Sequence, residues 1–246
     1  MMRFFSCGER RRFLSLLAIT SVSIISLTSC AKLPPSGAAG TSPRLAFTMA
    51  VDGKIRTGLA AGQSGLPYIY IVALRLNTDE NPITDGPLPV VVPGGNGFVA
   101  GNCTHYIKWD PLDSPQFKIW KFNDATLNDR SAIGTPVIVQ PVVEGDKLLK
   151  FEIDISQLVP AADVSTIKSV QVNFLTMTTD NPSAVTRLWD ALGDARIVSE
   201  VNRPVLVRLR SAGVTNSVTS AIVEPQGDVI DPDLDITDWS VEVKLP

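Results

Sequence analysis

Five aspartates crowd the C-terminal stretch of this 246-residue chain: Asp228, Asp231, Asp233, Asp235 and Asp238. The alternation Asp231-x-Asp233-x-Asp235 is a donor pattern that hard cations such as calcium take, because closely spaced carboxylates can share one ion. Glu242 follows Asp231 by eleven residues, as in a helix–loop–helix calcium loop, but Ile236 stands where that loop needs glycine for its sharp turn. Trp239, Val241, Val243 and Leu245 also alternate as a strand, which turns Glu242 to the opposite face. Two readings stay open: a non-helical calcium site using Asp231, Asp233 and Asp235, or a solvated acidic loop before the last strand. No other cofactor is expected.

Other chemistry is sparse. His105 is the one histidine, so multi-histidine metal sites are excluded and any Ser-His-Asp triad would have to use it. It lies in an alternating segment with Ile107 and Trp109, which reads as a structural histidine, and Gly62-Gln63-Ser64-Gly65 is not a nucleophile elbow. Glu152 and Asp154 share one strand face opposite Phe151, Ile153 and Ile155, the ordinary pattern of an exposed face. Nothing here builds a catalytic set, and no enzyme is expected. Tyr106, Trp109 and Trp120, with Phe122, lie in adjacent strand segments and are the candidates for a stacking platform under a sugar ring; packing in a sandwich core is the competing role.

The N-terminus carries an address. Residues 1–12 (MMRFFSCGERRR) are basic, and Phe13 to Leu27 is an apolar run of 15 residues. A bilayer core needs about 20, so the run suits a signal peptide better than a membrane span. Leu27-Thr28-Ser29-Cys30 resembles the lipobox of bacterial lipoproteins. That resemblance implies a cleaved signal over 1–29, diacylglycerol on the Cys30 thiol and an acylated, palmitate-bearing new N-terminus. Each buried acyl CH₂ contributes about 0.8 kcal/mol, so two or more chains hold firmly. Arg10-Arg11-Arg12-Phe13-Leu14 also resembles a twin-arginine export motif, although three arginines arise equally as a plain positive segment. Ala31 after the cysteine leans towards the outer membrane or an outward-facing leaflet. Cys7 leaves with the signal and Cys30 takes lipid, so Cys103 is left without a disulfide partner and reads as a small buried hydrophobe.

Residues 30–43, rich in Pro, Gly, Ala and Ser, read as a tether, and 44–246 as one domain. Arg44 to Val51 alternates with period two, and Tyr68 to Leu76 is apolar on both faces, as in a covered central strand. Further strands are expected over 103–109, 116–122, 136–143, 147–156, 166–178, 204–210, 216–223 and 238–245. Many short strands bounded by Gly, Pro, Asp or Asn predict an all-β antiparallel sandwich. One short helix is expected near 182–192, with Asn181 as cap, Pro182 at its first turn, Gly193 at its stop and Leu188, Trp189 and Leu192 as its buried stripe. Without residues 1–29 the chain holds 18 basic and 24 acidic side chains, a net charge of −6. That balance gives nucleic-acid binding no electrostatic support.

Leu148 to Asp194, through the phrases LLKFEIDISQL, VQVNFLTMTTDNP and LWDALGD, resembles the exported DOMON-like sandwiches, which include sugar-binding and haem-binding modules and the C-terminal module of glucodextranase. The match spans about a fifth of the chain. It implies a sandwich fold; an axial haem set of that family would require His105 with Met49 or Met177. Two functional readings follow. One is a lipid-anchored envelope module that binds carbohydrate or another small ligand, which requires Trp109 or Trp120 to be exposed. The other is a structural or assembly lipoprotein that docks a partner protein, which requires an uncovered apolar edge or patch.

Overall fold

Alternation of apolar side chains dictates how the strands lie. In β1 (Arg44–Val51), Leu45, Phe47, Met49 and Val51 are buried, and in β2 (Ile69–Asn77) both faces are, from Ile69 to Leu74. The remaining strands are β3 (Pro87–Pro89), β4 (Val99–Gly101), β5 (His105–Trp109), β6 (Phe117–Phe122), β7 (Arg130–Gly134), β8 (Ile138–Val139), β9 (Leu148–Asp154), β10 (Ser169–Met177), β11 (Trp189–Ala191), β12 (Val205–Arg208), β13 (Gly213–Asn216) and β14 (Ile236–Lys244). The computed structural model describes residues 42–58, 68–89, 96–184, 186–194, 196 and 203–246. The signal, Cys30 and most of the tether lie outside the described residues.

The strands form two antiparallel sheets. One runs β13-β14-β1-β9-β8; the other runs β11-β10-β2-β5-β6-β7, with β12 also on β10; β3 and β4 make a small separate hairpin. The expected all-β sandwich is what the chain adopts. Inward residues of both sheets share one core: Phe47 of β1, Val72 of β2, Phe151 of β9, Phe174 of β10 and Trp239 of β14 among them. Rings meet between the sheets, Phe47–Phe174 at 6.4 Å, Phe117–Phe151 at 5.4 Å and Phe174–Trp239 at 5.8 Å between centroids. Such aromatic contacts add to the apolar burial that drives sheet-on-sheet packing. A second cluster covers the outer side of the larger sheet, where Ile71, Tyr106 and Leu175 meet Phe98, Cys103 and Leu127. This explains why β2 is apolar on both faces.

The predicted helix near 182–192 is absent. Asn181 does cap a turn, accepting the Ser183 N–H at 2.9 Å, but the chain then runs on without helix among its described residues and pairs Trp189–Ala191 with Leu175–Met177 of β10. The open edge of a well-buried strand offers backbone bonds along its whole length, and that outweighs the local cap and stop signals. Two strands are shorter than expected or displaced. Pro136 and Pro141 confine β8 to two residues. Asn216 ends β13, because its side chain accepts the Val218 and Thr219 N–H groups and folds 216–220 into a turn where a strand over 216–223 is predicted. The domain also begins slightly before residue 44, since Ser42 bonds Asp154 and the Pro43 carbonyl accepts the Ile155 N–H.

Asp52-Gly53, directly after β1, docks on the C-terminal acidic loop. The Asp52 N–H reaches the Asp235 carbonyl at 2.9 Å and the Gly53 N–H that of Pro232 at 2.6 Å. A methyl group on Gly53 would collide with the Asp233 carboxylate and lie 2.8 Å from the Asp233 amide nitrogen. Gly53→Ala is therefore expected to destabilise the domain by about 1–3 kcal/mol, read as a lower urea midpoint with an unchanged slope.

Candidate functional site

The predicted stacking platform is largely interior. Trp109 and Tyr106 are each 1% exposed. They leave β5 on opposite faces, Trp109 into the core between the sheets and Tyr106 into the outer cluster. Trp120 is half-buried and stacks on Tyr106 at 5.9 Å with the rings 2° from parallel. Tyr106 and Trp109 are thus corrected to core residues; burial of a large ring against other rings contributes more than presenting it to water. His105, Met49 and Met177 are all buried, and Met49 and Met177 belong to different clusters. Cys103 is buried, and desolvation pushes its thiol up to about 12, which leaves it protonated.

The three aspartates of the proposed calcium loop do not form one ligand set. Asp231 and Asp233 both face Arg56, whose Nε donates to Asp233 Oδ2 at 2.5 Å and whose Nη2 lies 3.4 Å from Asp231 Oδ2. Tyr68 donates to Asp231, the Lys54 amide donates to Asp233 Oδ1 at 2.9 Å, and the Arg56 guanidinium stacks 4.2 Å above the Tyr68 ring. The carboxylates already have a cation, and their work is to tie the end of β1 to the loop before β14. Asp235 points elsewhere, with Oδ2 accepting the Gly227 N–H at 2.8 Å. Alternation along the sequence predicts convergence, but this loop is not a regular strand or helix.

What converges is a different set. Asp190, on β11, is fully buried; its Oδ2 accepts the Ile236 N–H at 2.7 Å, joining the edge of the larger sheet to β14 of the other. Its Oδ1 accepts from the Ala191 N–H at 3.0 Å and from Arg196 Nη1 at 2.9 Å. Arg196 also pairs with Asp194, and its Nε lies 3.3 Å from Asp228 Oδ2. Nη2 donates to the Trp189 carbonyl at 2.9 Å, and the guanidinium sits 4.9 Å over the Trp189 ring. Carboxylate oxygens of Asp190, Asp194 and Asp228 all fall within 4.8 Å of one another. Burial pushes the Asp190 carboxyl upward, with Asp228 adding to the shift and Arg196 opposing it. Burial, then Asp190 and Asp228, push Glu224 upward in the same way. Asp235 is raised by burial and by Asp228.

The sequence carries hints of this site in Trp189-Asp190 and in Asp228. Glu224 and Arg196 are missed, because nothing in their spacing shows that the turn after β11 and the segment before β14 meet.

A third feature is apolar. The run 131–143 (SAIGTPVIVQPVV) has no charged residue, and it links β7 to β8, the strands that end the two sheets. Ile133, Val137, Ile138, Val139 and Val143 are 40–60% exposed. Edge strands are ordinarily blunted by charge; after Arg130 at the start of β7, these carry none.

The geometry defines an all-β antiparallel sandwich with an internal acidic cluster and an uncharged open edge. No family model matches this sequence, and comparison with the curated proteins and with the solved structures finds no match either. Among the described residues, no helix is long and apolar enough to cross a membrane.

Proposed function

We propose that this chain is a lipid-anchored envelope lipoprotein whose sandwich acts by docking a partner protein through the β7–β8 edge, and not by catalysis. The uncharged, exposed run 131–143 carries this reading. Among the described residues no strand pairs with the outer side of β7 or β8, and branched apolar side chains flank both. An extended strand of a partner can take both, gaining backbone bonds along the edge and burying Ile138 and Val139. Of the carbohydrate reading's candidate rings, Trp109 and Tyr106 are interior while Trp120 is half-buried. Anchoring rests on the lipobox resemblance at Leu27–Cys30 and on the charge and length of the segment before it. Ala31 after the cysteine supports outer-membrane or outward-facing placement.

Site-specific photo-crosslinking in intact cells tests the docking. A photoreactive residue at position 138 should give one discrete protein adduct, whereas the same residue at exposed Lys121 on β6 should not. Equal labelling at both positions, or none at 138, overturns it. Anchoring is read separately: wild type should partition into detergent and Cys30→Ala into water, and an intact Met1 with unmodified Cys30 in the native protein's mass spectrum would exclude the anchor.

A further inference from the structure

We propose that Asp190, Asp194 and Asp228 form a site for a hard divalent cation of the calcium class, entered by exchange with the Arg196 guanidinium and backed by Asp235. Three observations carry this. First, the donor set is made of carboxylate oxygens within 4.8 Å of one another, which a calcium coordination sphere, about 5 Å across, can embrace. Second, Asp235 is 1% exposed, and while its Oδ2 takes the Gly227 N–H, no donor among the described residues reaches its Oδ1. That carboxylate lies against Asp228, whose Oδ1 is also buried without a donor. Two acceptors set face to face away from water need positive charge between them or a shared proton. Third, Arg196 is the cation held in contact with Asp190, Asp194 and Asp228 together, and its side chain is 28% exposed. Those three carboxylates thus meet a single guanidinium. A divalent ion matches what Arg196 leaves uncompensated in that set, and the arginine side chain already meets water in part.

The exchange predicts competition, which a merely structural cluster would not show. Calcium should raise the thermal midpoint of the full chain in detergent, with a Kd of roughly 0.1–1 mM, as for extracellular calcium modules. It should also change Trp189 emission, because the guanidinium leaves that ring, and the change should vanish in Trp189→Phe. In Arg196→Met, where the competitor is gone, calcium should bind at least about tenfold more tightly, one pair's worth of about 1.4 kcal/mol. In Asp228→Asn it should bind at least about tenfold more weakly. If Arg196→Met does not fold without ion, its recovery on adding calcium makes the same point. No thermal shift, heat or emission change in wild type and Arg196→Met up to about 10 mM calcium overturns the proposal and leaves shared protons as the resident positive charge. Equal binding to wild type and Asp228→Asn overturns it as well.

Discussion

Arg196→Met should destabilise the metal-free domain by about 3–5 kcal/mol at neutral pH, the range for removing one partner of a buried ion pair. The side chains at stake are interior: Asp190 is 0% exposed, Asp194 3% and Asp228 13%. An isolated surface pair would contribute at most about 1 kcal/mol, so the size of the loss tells the two situations apart. Methionine keeps much of the stem that packs on Trp189 while removing the charge, which confines the loss to the carboxylates left behind. Arg196→Lys should fall between, because an ammonium restores charge without the planar fork that reaches Asp190 and Asp228 at once. Urea titrations of the three chains in chelator provide the measurement. A loss below about 1 kcal/mol for the methionine variant would mean that solvent screens the cluster. The same titration bears on architecture, since Asp190 holds the Ile236 amide and so couples the edge of one sheet to the first residue of β14.

The fold was legible where side chains alternate and illegible where backbone edges decide. β1, β9 and β14 follow from period-two burial, and the two-faced covering of β2 is readable from Ile69, Ile71 and Ala73 set against Tyr70, Val72 and Leu74. The segment 182–192 misled because Asn181, Pro182 and Gly193 are correct local signals for a helix, yet β10 has an edge that Trp189–Ala191 can fill. The acidic loop misled in the opposite way. Asp231 and Asp233 do converge, but on Arg56, 175 and 177 residues away in sequence, and no local pattern announces such a partner. For Trp109 the sequence favours a core role over a platform, and its ring contact with Tyr70 at 5.5 Å agrees with the core. The uncharged run 131–143 was visible throughout as composition. Only the sheet order shows that it joins two edges.

Acid should cost this domain stability through one residue before the surface carboxylates matter. His105 is 3% exposed, opposite Lys121 on β6, with Nδ1 3.0 Å from Thr104 Oγ1. Burial lowers its pKa from 6.5 to about 4; Lys121 adds to the shift and the Leu158 backbone opposes it. The unfolded chain therefore takes up a proton near pH 6.5 that the folded chain refuses until about pH 4. Stability from this source is complete above pH 6.5, falls with pH through that window, and levels off below pH 4. The gap corresponds to roughly 3 kcal/mol in full and about 2.5 kcal/mol by pH 4.5. Asp190 and Glu224 act in the opposite sense, because carboxyls raised by burial gain stability as pH falls. A pH series on wild type alone would mix the two. The informative quantity is the difference in unfolding free energy between wild type and His105→Gln, whose amide does not titrate. That difference should shift against wild type by about 2.5 kcal/mol between pH 7.5 and 4.5. Parallel curves for the two chains over that range would mean that water reaches the imidazole and that the ring is not held neutral by its burial.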